Sequence, residues 1–120
     1  MNLIIFGPPG AGKGTQADFI VNKYNLYQLS TGSLLRNEIN NKTDLGNEID
    51  SIINTGSLVS DDIVKKLVET FISNQNYKNK IIFDGYPRNL NQAHNLNELL
   101  NKYNQRIDLV LKLSVSLETI

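Results

Sequence analysis

The chain has no cysteine, no tryptophan and a single histidine. Without cysteine there are no disulfides, thiolate metal centres or thiol nucleophiles, a composition compatible with a reducing cytoplasm. The histidine, His94, falls on the outer face of a predicted helix with no nucleophile or carboxylate beside it, so it reads as solvated. Charge of either sign shows no excess, because 12 Lys and Arg balance 12 Asp and Glu. General nucleic-acid binders and membrane-surface binders carry a basic excess, and both classes are excluded on that ground. Long apolar runs are absent too, since nothing approaches the roughly 20 residues of a membrane span. The start carries no basic leader, and Asn2 to Phe6 reads directly as a strand. Any anion this protein binds must therefore be held locally.

What is present fits one compact domain of 120 residues, 40% of them hydrophobic. Leu3 to Phe6 is an apolar run ending at Gly7-Pro8-Pro9-Gly10, after which Ala17, Ile20, Val21 and Tyr24 recur at helical spacing. The spacing predicts a strand, a loop and a helix. A short strand at Tyr27 to Leu29 leads to Ser30-Thr31, which can cap a helix carrying Leu34, Leu35 and Ile39. Another helix is expected from Thr43, burying Leu45, Ile49 and Ile52. Ser60-Asp61-Asp62 then places a capping hydroxyl and two carboxylates at a helix start, with Ile63, Val64, Leu67, Val68 and Phe71 on the buried face. A buried strand at Lys80 to Asp84 runs into a Gly-Tyr-Pro-Arg turn and a helix with Ala93, Leu96, Leu100 and Tyr103 on one face.

Leu109 to Leu113 is the last expected strand, and Ser116 to Ile120 reads as the first turn of one more helix. Strands alternating with helices predict an α/β fold with a doubly wound parallel sheet that binds its ligand at the carboxyl ends of the strands. A helix cut after one turn has neither cooperativity nor a buried face. The sequence accordingly reads as a fragment, with its sheet incomplete at the C-terminus and a marginal stability expected.

Gly7 to Thr15 matches Gly-x-x-x-x-Gly-Lys, with Gly14 where a hydroxyl residue usually follows and Thr15 one place later. Small residues let consecutive backbone N–H groups turn inward around a phosphate. The next helix aims its N-terminus at the same point, and Lys13 adds a full charge where β and γ oxygens would lie. A Gly/Pro-rich turn that happens to contain lysine is the alternative. The buried strand before the loop and the amphipathic helix after it are the context that favours a nucleotide cradle. Gly10, Ala11, Gly12, Lys13, Gly14 and Thr15 would then hold the phosphates of ATP.

The blocks GPPGAGKGTQ at Gly7 to Gln16, STGSLLR at Ser30 to Arg36 and DGYPR at Asp84 to Arg88, followed by Gln92, resemble the adenylate kinase family in order and spacing over essentially the whole chain. The resemblance implies a P-loop NTPase-like fold and reversible phosphoryl transfer from ATP to AMP, giving two ADP with Mg²⁺. It further implies a monomeric cytoplasmic enzyme with small nucleotides as its partners. Residues 30 to 59 would form a small AMP-binding helical insert in the single core.

Transfer between two polyanions requires fixed cations. Lys13, Arg36 and Arg88, with Asp84, are the catalytic candidates, an arginine being suited to gripping phosphate through two parallel hydrogen bonds. Arg36 reads almost equally well as a solvated surface side chain. Asp84 ends a buried strand, where it can hold Mg²⁺ through water or simply cap a turn. By the resemblance, Thr31, Arg36, Ser57, Leu58, Val59, Gly85, Tyr86, Pro87, Arg88 and Gln92 line the AMP site, with Thr31 and Gln92 reading the adenine edge. The Gln92 amide can both donate and accept, or it can lie on a polar helix face.

Ser33 stands where these kinases commonly have Asp, which lowers the expected metal affinity or turnover. The family's lid arginines are expected beyond Ile120, so the 120-residue chain is expected to turn over poorly. A UMP or CMP kinase and a nucleotide-binding remnant without catalysis are the other readings.

Overall fold

The computed structural model describes residues 1–8 and 10–114; the helical turn expected at Ser116 to Ile120 lies outside the described residues. Ten elements follow in order: β1 (Leu3–Phe6), α1 (Lys13–Tyr24), β2 (Tyr27–Ser30), α2 (Thr31–Asn40), α3 (Asp44–Asn54), α4 (Asp61–Ile72), a 3₁₀ turn (Gln75–Tyr77), β3 (Ile81–Asp84), α5 (Leu90–Lys102) and β4 (Leu109–Lys112). The four strands form one sheet in the order β2-β3-β1-β4, every pair parallel. Parallel neighbours need crossovers, which the helices supply. The fold is α/β and P-loop NTPase-like, with a four-stranded parallel sheet among the described residues.

The strand alternation sorts the core onto two faces. Ile4, Leu29, Ile81 and Phe83 point to one side and pack with Val64, Val68 and Ile72 of α4 and Leu96, Leu99 and Leu100 of α5. Leu3, Ile5 and Ile82 point to the other and meet Ala17 of α1 and Leu26. Helices thus cover both faces, as a doubly wound sheet requires. Tyr24, expected on the buried face of α1, is 50% exposed, and the Lys23 ammonium lies 5.5 Å from its ring centre. The two outer strands differ in cover. Leu109 and Val110 of β4 are about half exposed, so this edge is open among the described residues.

A polar knot pins the amino ends of the strands. Asn2 is fully buried, its Nδ2 donating to Gln105 Oε1 and to the Arg106 carbonyl at 3.1 Å each. Its Oδ1 accepts the Ile81 backbone N–H at 3.1 Å. Gln105 in turn donates to the Ile72 carbonyl at 3.1 Å. One asparagine therefore ties the start of β1 to the start of β3 and, through Gln105, to the end of α4. Every group in the knot is satisfied, which a buried polar cluster requires if it is to stabilise.

Ser60 caps α4 as the sequence suggests, its hydroxyl accepting the Ile63 N–H, and Thr43 caps α3 in the same way through the Gly46 N–H. Ser30 occupies the cap position of α2 in extended conformation but makes no side-chain cap bond. The α2–α3 hairpin closes on Gly46. A Cβ built there would lie 2.0 Å from the Glu38 carbonyl oxygen, so only glycine lets the two helices approach. Gly46→Ala is expected to destabilise the fold by at least about 1–3 kcal/mol, the range for overpacking, read as a lowered urea midpoint at unchanged slope.

Helices α4 and α5 are tied at the surface by Glu69, which accepts Lys102 Nζ and Tyr103 Oη at 2.7 Å each. The Lys102 hydrogen bond, then that of Tyr103, holds the Glu69 carboxyl below its ordinary value of 4.5. A depressed carboxyl contributes stability above that value and loses it as pH falls through the folded value. Glu69→Gln should therefore flatten the stability profile below pH 4.5 and lie below the parent chain at neutral pH, which chemical denaturation at a series of pH values will show.

Candidate functional site

The carboxyl ends of β1 and β3 lie side by side, with Ile5 opposite Asp84. Just past β1, the chain turns through the glycine loop into α1. Gly10 and Gly12 adopt φ of 85° and 79°, the left-handed region that side chains disfavour, and Gly12 is the N-cap of α1. The first turn of α1 therefore presents backbone N–H groups beside Lys13 that have no partner among the described residues. A Cβ on Gly12 or Gly14 would meet open space. The room in front of the loop is thus open to a ligand.

Two clefts meet here. One, of about 620 Å³, is lined by Gly7, Pro8, Gly10, Gly12, Lys13, Gly14, Thr15 and Arg88. The other, of about 340 Å³, is lined by Ile5, Phe6, Gly7, Lys13, Gly85, Pro87 and Arg88. Lys13 and Arg88 line both. Arg88 is anchored by its Nε, which donates to the Gly85 carbonyl at 2.8 Å. A Cβ on Gly85 would stand 3.1 Å from the Arg88 guanidinium, so glycine there lets the arginine fold back over the turn.

Asp84 closes the arrangement. Its Oδ1 is ion-paired with Lys13 Nζ, and its Oδ2 accepts Gln28 Nε2 at 2.9 Å. Among the described residues there is no cluster of three or more His, Cys, Asp or Glu side chains able to hold a metal. A single carboxylate beside a phosphate cradle suits Mg²⁺ carried in by nucleotide phosphates and water, the usual mode for that ion.

The remaining candidates fall into two groups. Gln92 belongs to the Arg88 turn, its Oε1 accepting the Arg88 backbone N–H at 2.8 Å. Pro87 lines the smaller cleft. Thr31, half-buried, begins α2, and Arg36 is exposed on α2 with Nη2 donating to Ser33 Oγ at 3.2 Å. Ser57 and the 94% exposed Leu58 lie between α3 and α4, and Val59 leans on the core beside them. Neither cleft is lined by Thr31, Arg36, Gln92 or residues 57–59 among the described residues.

Tyr86 is fully buried in the core, so it can offer a ligand only its main chain. Burial, and secondarily the charge of Asp61, pushes its phenol up to about 12, and its hydroxyl has no hydrogen-bond partner among the described residues. Sequence reasoning had no role for Gln28 or for a side-chain partner of Gln92. The first contacts Asp84 and the second proves to be Asp61, whose Oδ1 accepts Gln92 Nε2 at 2.9 Å. A glutamine in an otherwise apolar short strand was the one available signal for Gln28.

A parallel sheet whose first strand passes through a glycine-rich turn into a helix N-terminus bearing lysine defines the phosphate-loop class of α/β proteins. Comparison with known proteins narrows the class. The family model described as adenylate kinase matches residues 5–120. An adenylate kinase of Pelagibacter ubique is 56% identical over 120 residues, covering all of this chain and 56% of that protein. Those of Mycoplasma mycoides and Fervidobacterium nodosum are 47% and 45% identical, covering 97% and 100% of this chain and 54% and 55% of theirs. The chain belongs to the adenylate kinase family. It spans about half the length of the curated relatives it matches. No helix among the described residues is long and apolar enough to cross a membrane.

The Lys13–Asp84 pair leads to a simple competition. In metal-free solution a polyphosphate must share Lys13 with a fixed carboxylate. Asp84→Asn should therefore tighten binding of tripolyphosphate in chelator by several-fold, up to about tenfold or 1.4 kcal/mol, measured by titration calorimetry.

Proposed function

We propose that this chain carries the donor and acceptor phosphate sites of an adenylate kinase, which transfers the γ-phosphoryl group of ATP to AMP and yields two ADP. The observation that carries the reading is that Lys13 and Arg88 line both clefts, so two polyanions seated in them would share the same cations. Family membership supports the same chemistry.

In this reading Gly10 to Thr15 wrap the triphosphate of ATP with backbone N–H groups, and Lys13 leaves Asp84 for the β and γ oxygens. Arg88 and Arg36 hold the phosphate of AMP, leaving its oxygen in line with the γ-phosphorus. That oxygen forms the new bond as the bond to the β–γ bridging oxygen breaks, and the ADP so released keeps the bridging oxygen. The fixed cations act by positioning and charge neutralisation, the main resource of phosphoryl transferases. Asp84 would hold Mg²⁺ through water, and the ion would supply charge neutralisation on the triphosphate. Thr31, residues 57–59, the backbone of Gly85 to Arg88, and Gln92 form the AMP site, and residues 30–59 are the insert that carries half of it. Ser33 leaves this site one carboxylate short of the pattern common in the family.

The test is equilibrium binding and turnover with the same preparation. ATP should bind saturably, and Lys13→Met should weaken it by at least about tenfold. ADP should form from ATP and AMP faster than from ATP with UMP or CMP. Saturable binding of both nucleotides without ADP would leave the two sites standing and remove the catalytic claim for this chain. Binding of neither would remove the reading.

A further inference from the structure

Gln92, in the first turn of α5, has both ends of its amide engaged within the protein. Oε1 accepts the Arg88 backbone N–H at 2.8 Å, and Nε2 donates to Asp61 Oδ1 at 2.9 Å. The other oxygen of Asp61 accepts Asn91 Nδ2 at 2.9 Å. The backbone N–H of Gln92 donates to the cap residue, Asn89 Oδ1, at 2.8 Å. Main chain and side chain are both fixed.

The oxygen and nitrogen of an amide are nearly equal in size, so hydrogen-bond partners alone decide which way it faces. A backbone N–H can only donate, and an ionised carboxylate can only accept. Turning the Gln92 amide over would set its NH₂ against the Arg88 N–H and its oxygen against the Asp61 carboxylate, exchanging two hydrogen bonds for two repulsions. Asp61 remains an acceptor at neutral pH, because hydrogen bonds from Asn91 and Gln92 hold its carboxyl below the ordinary value. Gln92 keeps one lone pair on Oε1 and one hydrogen on Nε2 for a ligand, in a fixed spatial order.

We infer that Asp61 is a positioning residue for acceptor choice, locking the Gln92 amide so that a 6-amino purine is accepted and the equally shaped 6-oxo purine is refused. The inference rests on the proposed AMP site, in which Gln92 faces the base. Adenine offers an amino donor beside a ring-nitrogen acceptor. Hypoxanthine offers a carbonyl acceptor beside an N–H donor, the reverse order. A free amide turns to suit either base, whereas a locked one leaves the wrong base with unpaired polar groups, the strongest basis for rejection between isosteres.

Asp61 and Asp62 both lie in the first turn of α4, where carboxylates favour the helix dipole. Of these two, only Asp61 accepts hydrogen bonds from α5 among the described residues. Asp62→Asn is therefore the control for loss of helix-end charge. In Asp61→Asn the new amide can itself turn over and pair with the facing end of Gln92 in either orientation, so one of the two repulsions that oppose the flip is lost and only that with the Arg88 N–H is left.

The experiment titrates the chain and both variants with AMP and with IMP by calorimetry, after circular dichroism has confirmed folding. The parent should favour AMP by about tenfold or more. Asp61→Asn should narrow the ratio to about threefold or less, while Asp62→Asn leaves it unchanged. A second measurement needs no variant: the Gln92 side-chain NH₂ signals of the free chain should exchange with solvent more slowly than those of exposed glutamines.

A folded Asp61→Asn chain that keeps the parent ratio overturns the inference and leaves the AMP site intact. So does a parent chain that binds AMP and IMP alike, or a Gln92 amide that exchanges at the rate of exposed glutamines. Failure of the parent to bind either nucleotide overturns the AMP site and the inference together.

Discussion

The site exists because β1 lies between β3 and β4 in one register. Pairing Ile5 with Asp84 brings the loop that follows β1 against the last residue of β3, and Lys13 meets Asp84 as a result. The side-chain period of a strand is two, so a slip of one residue would turn Leu3 and Ile5 toward α4 and α5 and carry Asp84 away from the loop. The Asn2 knot resists that slip from the opposite end, since its Oδ1 bonds the backbone N–H of Ile81 and no other group in β3. Chemistry at one end of the sheet depends on a buried amide at the other.

Most of the architecture was legible because local signals agreed with the tertiary outcome. Leu3 to Ile5 of β1 and Ile81 to Phe83 of β3 are buried, the cap at Ser60 forms, and the glycine loop sits between a buried strand and a helix. What was not legible is carried by contacts between residues far apart in sequence. Gln28 reaches Asp84, Asp61 reaches Gln92 and Asn2 reaches Gln105, each across a gap that no helical or strand period spans. Tyr86 is a different case. Its turn motif locates the backbone but not the direction of the ring, which goes into the core. At Ser30 the sequence supplies a suitable cap residue, but its hydroxyl makes no bond to the backbone of α2.

A neutral chain can still present a strongly cationic point. Lys13 and Arg88 converge on the loop, while Asp84 balances Lys13 as long as no anion arrives. Such a site has little long-range field with which to collect polyanions in general. In the proposed reading selectivity would come from geometry at short range, where backbone N–H groups, a lysine and an anchored arginine all address one small volume.

The place of β1 in the sheet also has a bearing on how the protein is made. This strand leaves the ribosome well before its neighbours, which begin at positions 81 and 109, and the residue that pins its start waits for Gln105. Until those segments are synthesised, a wholly apolar strand with two unpaired edges has no native partner. Non-local parallel pairing of this kind folds slowly and leaves nascent chains open to association. The interior strand of the sheet thus needs shelter during translation long before the molecule itself can supply it.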